Sequence, residues 1–375
     1  MDSIFRQLKS YLRRIDFRLL FPVLASSCYG LLLVLAATAT STQTFSRSFF
    51  VQSAAMVIGI SAMIVVSLLD LEMLTELWPV LYALAVGAIV ITILFGKGPT
   101  GESNRNWIYL GPVSVQPTEF VKLAYILILA KALDRVKENI NTLASLLYVG
   151  AIAGGILLLM VIQGDMGTTL VFLFITVLML FCAGLDWKFF AAGAAGVMLA
   201  APLAWEHVLS GYMRSRILYG FRPDLDPTGY GFQALQSKIA IGSGQLFGKG
   251  FLKGTQISLL PARETDFLYA TAGEEFGFLG SVLVLVLLSA LLLRLLQCAM
   301  TARTDIGTLI CMGVFGMFFG QIFENIGMCL AMLPVVGITL PFFSYGGSSM
   351  ISSWLAVGLA LAVYRQSETT LSFDA

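Results

Sequence analysis

Residues 259–277, LLPARETDFLYATAGEEFG, gather charge in a chain that is otherwise strongly apolar. The charged side chains are Arg263, Glu264, Asp266, Glu274 and Glu275. Hydrophobic residues make up 58% of the 375-residue chain and charged residues only 12%, whereas an ordinary soluble domain carries about 25% charged residues. Because carboxylates serve as general bases and as ligands of divalent cations, this segment is a candidate site.

Two further charges lie inside an apolar segment, where an ionisable group is costly and usually faces a partner or a cavity. In QPTEFVKL, 116–123, Pro117 suits the first turn of a helix, and Glu119 and Lys122 then share one face at i, i+3. We expect these two side chains to pair. Two interpretations stay open: a structural ion pair that fixes helix packing, or a polar cavity that receives a substrate head group or a proton.

Two irregular stretches also interrupt the apolar pattern. The turn QGDMG, 163–167, places Asp165 between two apolar segments, where we expect it to cap the following helix. The stretch LPVVGITLPFFSYGGSS, 333–349, holds two prolines and a Gly-Gly-Ser-Ser run. Because irregular backbone at membrane depth is tolerated only where it lines protein or a cavity, this stretch, with Ser344, should face the polar centre.

The elements that must position these residues are membrane helices. Apolar stretches of about 18 or more residues predict spanning helices, because lipid offers the backbone no hydrogen-bond partner. The predicted fold class is an all-α polytopic membrane protein, one domain over residues 1–375. The expected transmembrane helices, about ten, lie near 18–39, 49–69, 74–95, 117–134, 143–162, 167–184, 188–206, 278–297, 307–332 and 348–365. Residues 207–277, between the seventh and eighth helices, are too polar to span and keep apolar patches, which indicates a folded loop with short helices.

The distribution of Lys and Arg predicts the orientation, since these residues are retained on the cytoplasmic side of short loops. With the N-terminus inside, the cytoplasmic segments carry Arg6, Lys9, Arg13, Arg14, Arg18, Lys131, Arg135, Lys137, Lys188, Arg294, Arg303 and Arg365. The short outer loops carry only Arg47, Lys97 and Arg105. The 207–277 loop has seven more, but long loops cross regardless of charge. We therefore expect a multi-pass membrane protein with both termini in the cytoplasm and this loop outside.

Several classes of function can be excluded. A Ser-His-Asp relay or a His-rich metal site would have to be built around His207 alone. The stretch GSGQLFGKG, 242–250, lacks the glycine and hydroxyl positions of a phosphate-binding loop, so its glycines more simply permit tight turns. The five cysteines show no paired spacing and fit core packing, and a net charge of +1 predicts no nucleic-acid partner.

Five longer motifs, taken together, resemble the shape, elongation, division and sporulation family, and they occur in the order typical of that family. The motifs are NWIYLGPVSVQPTEFVKL (106–123), QGDMGT (163–168), QSKIAIGSGQLFGKGFLKGTQ (236–256), TDFLYATAGEEFG (265–277) and NIGM…LPVVGITLPFFSYGGSS (325–349). The resemblance covers nearly all of the chain beyond the first span. The LFGKG…GTQ motif and the short terminal segments are more similar to the elongation members of the family than to its division members.

The resemblance implies a ten-span glycosyltransferase of the bacterial cytoplasmic (inner) membrane, in contact with membrane lipids, that polymerises lipid II into peptidoglycan strands. It implies a partner, a class B penicillin-binding protein that supplies the crosslinking transpeptidase. The aspartate of the Thr-Asp-Phe motif, here Asp266, is implied to be the catalytic residue, and Glu119 and Lys122 to line a polar cavity near it. The other implied substrate-binding positions are Arg105, Asp165, Arg216, Lys238 and Ser344.

The sequence departs from the family pattern at a few positions. They are Ala262 for the usual Glu, Glu264 for the usual His, Asn106 for the usual Arg, and Glu324 for a residue that is more commonly apolar. These departures bear on the roles of the flanking positions rather than on Asp266 itself.

The implied chemistry can be stated from the residues upward. Joining two sugars needs a base that takes the proton of the acceptor hydroxyl as it attacks the anomeric carbon, and Asp266 is the candidate base. We expect Thr265 or Asp266 to begin the short helix that follows, which would aim the carboxylate outward. An α-linked donor that gives a β-linked product requires a single inversion, for which one carboxylate suffices. The departing undecaprenyl pyrophosphate needs positive charge, for which the family pattern favours Arg216 and Lys238.

Two points stay open on the sequence alone. Glu274 and Glu275 could hold a divalent cation, Mg²⁺ or Mn²⁺, beside the pyrophosphate, or could form a solvated helix face. The function could also be that of a flippase that carries lipid II across the membrane, as Glu119, Lys122 and the broken segments would suit, or that of a non-catalytic scaffold. A carrier should place its charges near the midplane. The densest charge here lies in the outer loop, which favours chemistry at the outer surface.

Overall fold

The computed structural model describes residues 16–39, 44–98, 105–111, 113–207, 209 and 211–371, and this part of the chain is mostly helical. Its α-helices are α1 (Phe17–Thr38), α2 (Arg47–Ser67), α3 (Leu71–Glu76), α4 (Trp78–Phe95), α5 (Pro117–Val136), α6 (Leu143–Gln163), α7 (Met166–Cys182), α8 (Trp187–His207), α9 (Gly211–Phe221), α10 (Phe232–Ser243), α11 (Leu268–Thr301), α12 (Asp305–Cys329) and α13 (Gly347–Leu371). Short 3₁₀ segments lie at Lys137–Asn139, Pro223–Leu225 and Ile257–Leu259. Two strands, β1 (Ile108–Leu110) and β2 (Val113–Val115), form an antiparallel hairpin that pairs Ile108 with Val115.

Each predicted span falls on a helix, namely α1, α2, α4, α5, α6, α7, α8, α11, α12 and α13. In the described part of the chain, 8 of these helices are long and apolar enough to cross a membrane. The other two are α5, which carries five charged side chains, and α7, which has only 17 residues. The polytopic helical fold is confirmed, whereas the number of crossings stays a prediction.

Local chemistry shifts several predicted boundaries. The third span, predicted as one segment from residue 74, is interrupted after Glu76, because Pro79 lies in the first turn of α4 and favours a new helix start. The eighth predicted span is the second part of α11, which bends at Gly277, where φ is +67°. The β hairpin was not predicted, since its three-residue strands are too short to give an alternating pattern.

Capping side chains set the starts of six helices. Each of these helices begins after a side chain that accepts a hydrogen bond from a backbone N–H two or three residues further on. The helices are α1, α2, α3, α6, α7 and α12, and their caps are Asp16, Ser46, Asp70, Thr142, Asp165 and Thr304. Such a bond satisfies one of the unpaired donors at a helix N-terminus. The expected capping role of Asp165 is therefore confirmed.

The centre of the bundle depends on close contact between α2 and α13. A Cβ added to Gly59 of α2 would lie 2.9 Å from Cδ1 of Trp354, and one added to Gly358 of α13 would lie 2.9 Å from the carbonyl oxygen of Met63. The bare backbone at these positions lets the two helices approach and buries Trp354 completely. By contrast, none of the side chains described in α8 is buried, so this helix stands at the lipid-facing edge.

The long loop between α8 and α11 is folded, as predicted, and its glycine-rich stretch 242–250 packs against the bend in α11. The N–H groups of Lys249 and Gly250 donate to the carbonyl oxygens of Glu274 and Glu275 at 2.9 and 3.0 Å. On the other side of the bend, the N–H of Phe278 donates to the Gln245 carbonyl at 2.7 Å. Backbone groups of the loop therefore bond to the backbone groups of α11 on either side of the bend.

We predict that Gly244→Ala weakens this attachment, because a Cβ on Gly244 would overlap the carbonyl oxygen of Gly273. Overpacking of this kind costs about 1–3 kcal/mol. Gly242→Ala is the matched control, since a Cβ there meets nothing within 4 Å. Thermal unfolding in detergent should show a lower melting temperature for Gly244→Ala only. Equal melting temperatures for the two variants would contradict the packing described.

Candidate active site

Asp266 is positioned by a tight turn rather than by a helix start. The N–H groups of Thr265, Asp266 and Phe267 all donate to the Ala262 carbonyl oxygen, at 3.2, 3.0 and 3.3 Å. The helix begins only at Leu268, after Phe267, and no side chain caps it. The expectation that Thr265 or Asp266 begins this helix is therefore wrong. The hydroxyl of Thr265 donates to the Ala262 carbonyl instead, at 3.2 Å.

The turn is held against the irregular segment that precedes α13. The Nδ2 of Asn325, on α12, donates to the carbonyl oxygens of Asp266 at 2.8 Å and Ile338 at 2.6 Å. The N–H of Tyr345 donates to the Glu264 carbonyl at 2.8 Å. A Cβ placed on Gly337 would lie 3.6 Å from Oδ2 of Asp266. The half-buried carboxylate of Asp266 thus lies beside Gly337, which has no side chain.

A small open cleft of about 50 Å³ lies at the other end of this segment. Its lining residues are Gly164, Met166, Met213, Arg216, Ile217, Pro334, Val335 and Val336. The helix α9 reaches the segment closely, since a Cβ on Gly220 would overlap the α-carbon of Pro334. The structure therefore brings Arg216 and Asp266, both predicted site residues, to the two ends of residues 334–337.

The other predicted cation of the loop lies elsewhere. Lys238 is exposed on α10 and is not among the residues that line the cleft. Its neighbour Ser237 faces inward and donates from Oγ to the Cys329 carbonyl at 2.8 Å, which fixes α10 against the end of α12. A role of Lys238 in substrate binding therefore stays a prediction.

Glu274 and Glu275 support the loop from inside. Oε1 of Glu274 accepts from Nζ of Lys249 at 2.6 Å and from the N–H groups of Thr255 and Gln256 at 2.8 and 2.7 Å. Oε2 of Glu275 accepts from the N–H of Leu252 at 3.0 Å. Both carboxylates are buried, so the solvated helix face considered from the sequence is wrong for them. Within the described residues, no group of three or more His, Cys, Asp or Glu side chains is arranged to hold a metal ion.

Asp165 organises the N-terminal end of α7. Its carboxylate accepts from the N–H and the hydroxyl of Thr168, at 3.0 and 2.8 Å, and from Nδ2 of Asn106 at 2.9 Å. Burial raises the pKa of Asp165 above its ordinary value, against the opposing effect of the Thr168 hydrogen bonds. Arg105 points away, with Nη1 donating to the Ile93 carbonyl at 3.2 Å. The residue that reaches Asp165 is thus Asn106, which the sequence marked only as a departure from the family pattern.

The predicted pairing of Glu119 and Lys122 is confirmed. Nζ of Lys122 lies 2.9 Å from Oε1 of Glu119, and the two residues are only 1% and 4% exposed. The hydroxyl of Ser352, on α13, donates to Oε2 of Glu119 at 2.6 Å. The ion pair therefore also links α5 to α13, which fits the interpretation of a structural ion pair that fixes helix packing.

Glu324 is a further buried acidic residue within the membrane helices, and the sequence analysis gave it no role. It is 3% exposed on α12. Among the described residues, none donates a hydrogen bond to either of its carboxylate oxygens. An acidic residue within the ninth predicted span was the available signal, because such a residue usually faces polar partners.

Ser344, which the sequence predicts to face a polar centre, makes hydrogen bonds within the protein. Its Oγ accepts from the Leu340 N–H at 2.8 Å, and its carbonyl oxygen accepts from Nε2 of Gln52 at 2.8 Å. The residue is buried and closes the turn that leads into α13. Direct contact with a substrate stays a prediction.

We predict that Glu119 and Lys122 are strongly coupled in a double-mutant cycle on thermal stability. Glu119→Gln or Lys122→Met alone leaves a buried charge without its partner, at a cost of about 3–5 kcal/mol, while the double variant should lose less than the sum. The exposed pair Lys188–Asp186, 2.6 Å apart, is the matched control, with a coupling of about 0–1 kcal/mol. Additive losses at Glu119 and Lys122 would show that the two charges do not interact.

Comparison with known proteins identifies the family of the chain. The family described as "Cell cycle protein", which groups FtsW, RodA and SpoVE, matches residues 17–369. Over 295 residues the chain is 36% identical to the peptidoglycan glycosyltransferase MrdB of Escherichia coli (strain K12), a match that covers 76% of this chain and 77% of that protein. Over 352 residues it is 35% identical to stage V sporulation protein E of Bacillus subtilis (strain 168), covering 90% and 93% of the two chains.

A solved structure gives the same result for the fold. It comes from a study of the structural coordination of polymerization and crosslinking by a peptidoglycan synthase complex. Its chain is 30% identical to this one and superposes with a TM-score of 0.81, covering 94% of this chain and 98% of the other. The family match spans nearly the whole of the described bundle, so the chain belongs to the shape, elongation, division and sporulation family, the group of FtsW, RodA and SpoVE.

Proposed function

We propose that this protein is a peptidoglycan glycosyltransferase that polymerises lipid II into glycan strands during cell-wall elongation. The observation that carries the proposal is the position of Asp266, whose carboxylate lies against the bare backbone of Gly337, next to the cleft that Arg216 lines. The relative named peptidoglycan glycosyltransferase MrdB supports the activity. A base beside an open cleft that holds one arginine is the minimum that a sugar transfer requires.

The reaction uses Asp266 as general base. As the acceptor hydroxyl oxygen attacks the anomeric carbon of the donor, its proton passes to the Asp266 carboxylate. The new glycosidic bond forms while the bond between the anomeric carbon and the lipid pyrophosphate breaks, which inverts the configuration at that carbon. The charge that develops on the departing pyrophosphate is stabilised by Arg216, with Lys238 as a second cation when the loop meets the substrate.

The proposal includes a divalent cation beside the pyrophosphate. Glu274 and Glu275 are poor candidates to hold it, because Lys249 and the backbone N–H groups of the 249–257 stretch already engage their carboxylates. A cation would instead enter with the pyrophosphate oxygens, which are hard ligands of the kind that Mg²⁺ prefers.

The partner in this proposal is a class B penicillin-binding protein that crosslinks the strands. The solved relative comes from a peptidoglycan synthase complex that couples polymerization to crosslinking, which supports such an assembly. The alternative of a lipid II flippase is favoured by the buried charges of Glu119 and Lys122, since carriers place ionisable groups within the membrane, and by the broken segments. The Asp266 site favours the polymerase.

We predict that Asp266→Asn lowers the rate of glycan polymerisation at least about a hundredfold, because Asn is nearly isosteric but cannot accept the proton. The rate is measured with purified lipid II and the purified protein with its partner. Glu264→Gln is the matched control in the same turn, because the contact that Glu264 makes to Tyr345 uses its carbonyl oxygen and survives the change. Activity of Asp266→Asn within a few-fold of the wild type would remove this residue from the mechanism.

The proposal also fixes the orientation, with the 207–277 loop outside and both termini in the cytoplasm, because a cell-wall polymerase must meet its sugars outside. Single cysteines at Thr228 in the loop and at Asn139 between α5 and α6, both exposed positions, test this in a background without the native cysteines. A membrane-impermeant thiol reagent added to intact cells should label Thr228→Cys and not Asn139→Cys. The reverse pattern would place Asp266 in the cytoplasm and contradict the polymerase.

A further inference from the structure

The carboxylate of Glu324 is buried in the helical bundle, and its hydrogen-bonding capacity is unused. The residue is 3% exposed on α12, and no donor among the described residues reaches Oε1 or Oε2. A buried charge is stable when it is paired or coordinates a metal, and an ionisable group within a membrane bundle often marks the place of an ion. Glu324 is therefore a candidate ligand for a cation.

Glu324 lies on the face of α12 that packs against α7. A Cβ added to Gly313 would lie 2.9 Å from Sδ of Met179, and one added to Gly316 would lie 3.1 Å from the α-carbon of Ile175. These two contacts show that the helices run antiparallel. Glu324 is eleven residues beyond Gly313, which is about three helical turns, so it points in the same direction. It therefore faces the first turn of α7.

The next residue of α12, Asn325, confirms this level. Its Nδ2 donates to the Ile338 carbonyl oxygen at 2.6 Å, and a Cβ on Gly167 would lie 2.7 Å from Cγ1 of Ile338. In the same turn of α7, the N–H and the hydroxyl of Thr168 donate to the carboxylate of Asp165 at 3.0 and 2.8 Å. Two carboxylates from different helices thus lie at one level of the bundle.

Side-chain amides near these carboxylates also present oxygen atoms that no described residue bonds. Oδ1 of Asn106 is one of them, and it stays near Asp165 because Nδ2 of the same amide donates to Asp165 at 2.9 Å. Oε1 of Gln321, one turn before Glu324 on α12, is another. Carboxylate and amide oxygens are the ligands that hard cations prefer. A water molecule could bond to these atoms, but it would leave the charge of the carboxylates uncompensated.

The charge of this region favours a divalent cation. Nζ of Lys122 lies 2.9 Å from Oε1 of Glu119, so these two charges compensate each other. The hydrogen-bond donors of Asp165 are neutral groups, and Glu324 has none in the described part of the chain. Two negative charges therefore stay without a matching positive charge. A divalent cation compensates both, and Mg²⁺ is commonly held by one or two carboxylates while it keeps several waters.

We propose that Asp165 and Glu324 hold a divalent cation, of the Mg²⁺ or Mn²⁺ kind, between the first turn of α7 and α12, with the two amide oxygens as further ligands. This site is separate from the cation beside the pyrophosphate, and it does not rest on the proposed function. The cation joins α7 to the helix that carries Asn325. It therefore stabilises the helix that holds the Asp266 turn.

The test titrates Mn²⁺ into the purified full-length protein in detergent, without lipid II or pyrophosphate. The electron paramagnetic resonance signal of free Mn²⁺ is followed, because bound ions lose it. The wild type should bind Mn²⁺, and Mg²⁺ should displace it whereas Na⁺ at equal ionic strength should not. Displacement by Na⁺ as readily as by Mg²⁺ would overturn the divalent assignment.

Variants locate the ion. Glu324→Leu and the nearly isosteric Glu324→Gln should each weaken Mn²⁺ binding at least tenfold, since each removes a carboxylate ligand. Glu274→Gln is the matched control for a buried acid, because Lys249 and backbone N–H groups already engage that carboxylate. Unchanged binding in both Glu324 variants would overturn the proposal, and so would loss of binding in Glu274→Gln alone.

Thermal unfolding separates a bound cation from a carboxylate that is simply protonated. Mg²⁺ at about a hundredfold excess over its dissociation constant should raise the melting temperature of the wild type by about 5 °C, and Glu324→Leu should abolish this rise. Without Mg²⁺, Glu324→Leu should melt no lower than the wild type, because the change removes an uncompensated buried charge. Equal melting temperatures of the wild type with and without Mg²⁺ would overturn the proposal and indicate a protonated Glu324.

Discussion

The candidate site depends on the side-chain amide of Asn325. From a buried position on α12, its Nδ2 donates to the carbonyl oxygens of Asp266 and Ile338 at 2.8 and 2.6 Å. One side chain thereby fixes the turn that carries the carboxylate and the segment that leads to the cleft. Both partners are backbone atoms, so the bonds constrain position without drawing charge from the Asp266 carboxylate. The turn that carries Asp266 is thus tied to a membrane helix.

Beneath this junction lies a layer of buried polar groups. Charges within a membrane bundle are costly unless they are paired, and Glu119, Lys122 and Asp165 each have close hydrogen-bond partners. The layer connects to the site through the start of α7, where Gly167 packs against Val336 and Ile338. The polar groups within the membrane therefore support the segment on which Asp266 rests. This gives the ion pair a structural role in a polymerase without any transport step.

The sequence was informative where the controlling interactions are local. The i, i+3 spacing of Glu119 and Lys122 predicts their contact, and the position of Asp165 after a helix end predicts its cap, because each depends on residues within one turn. The apolar stretches predict the helices for the same reason. The folded nature of the 207–277 loop follows from the apolar patches that it retains.

Contacts between distant residues could not be predicted in this way. Asn325 and Asp266 are 59 positions apart, and Asn106 and Asp165 are also 59 positions apart, so no local pattern reports either bond. The start of α11 was placed too early because Ala262, at a φ of +53°, forms a turn whose carbonyl takes the donors that a helix cap would satisfy. The buried position of Ser344 likewise depends on Gln52, 292 positions away, whose Nε2 donates to the Ser344 carbonyl oxygen.

The central claim is that this protein joins sugars at the outer surface rather than moving lipid across the membrane. The most direct measurement places the purified protein, with its purified transpeptidase partner, in vesicles that contain lipid II. Strand length and transbilayer movement of lipid II are then followed in the same sample. The account predicts polymer and no acceleration of transbilayer movement. Accelerated movement without polymer would contradict it.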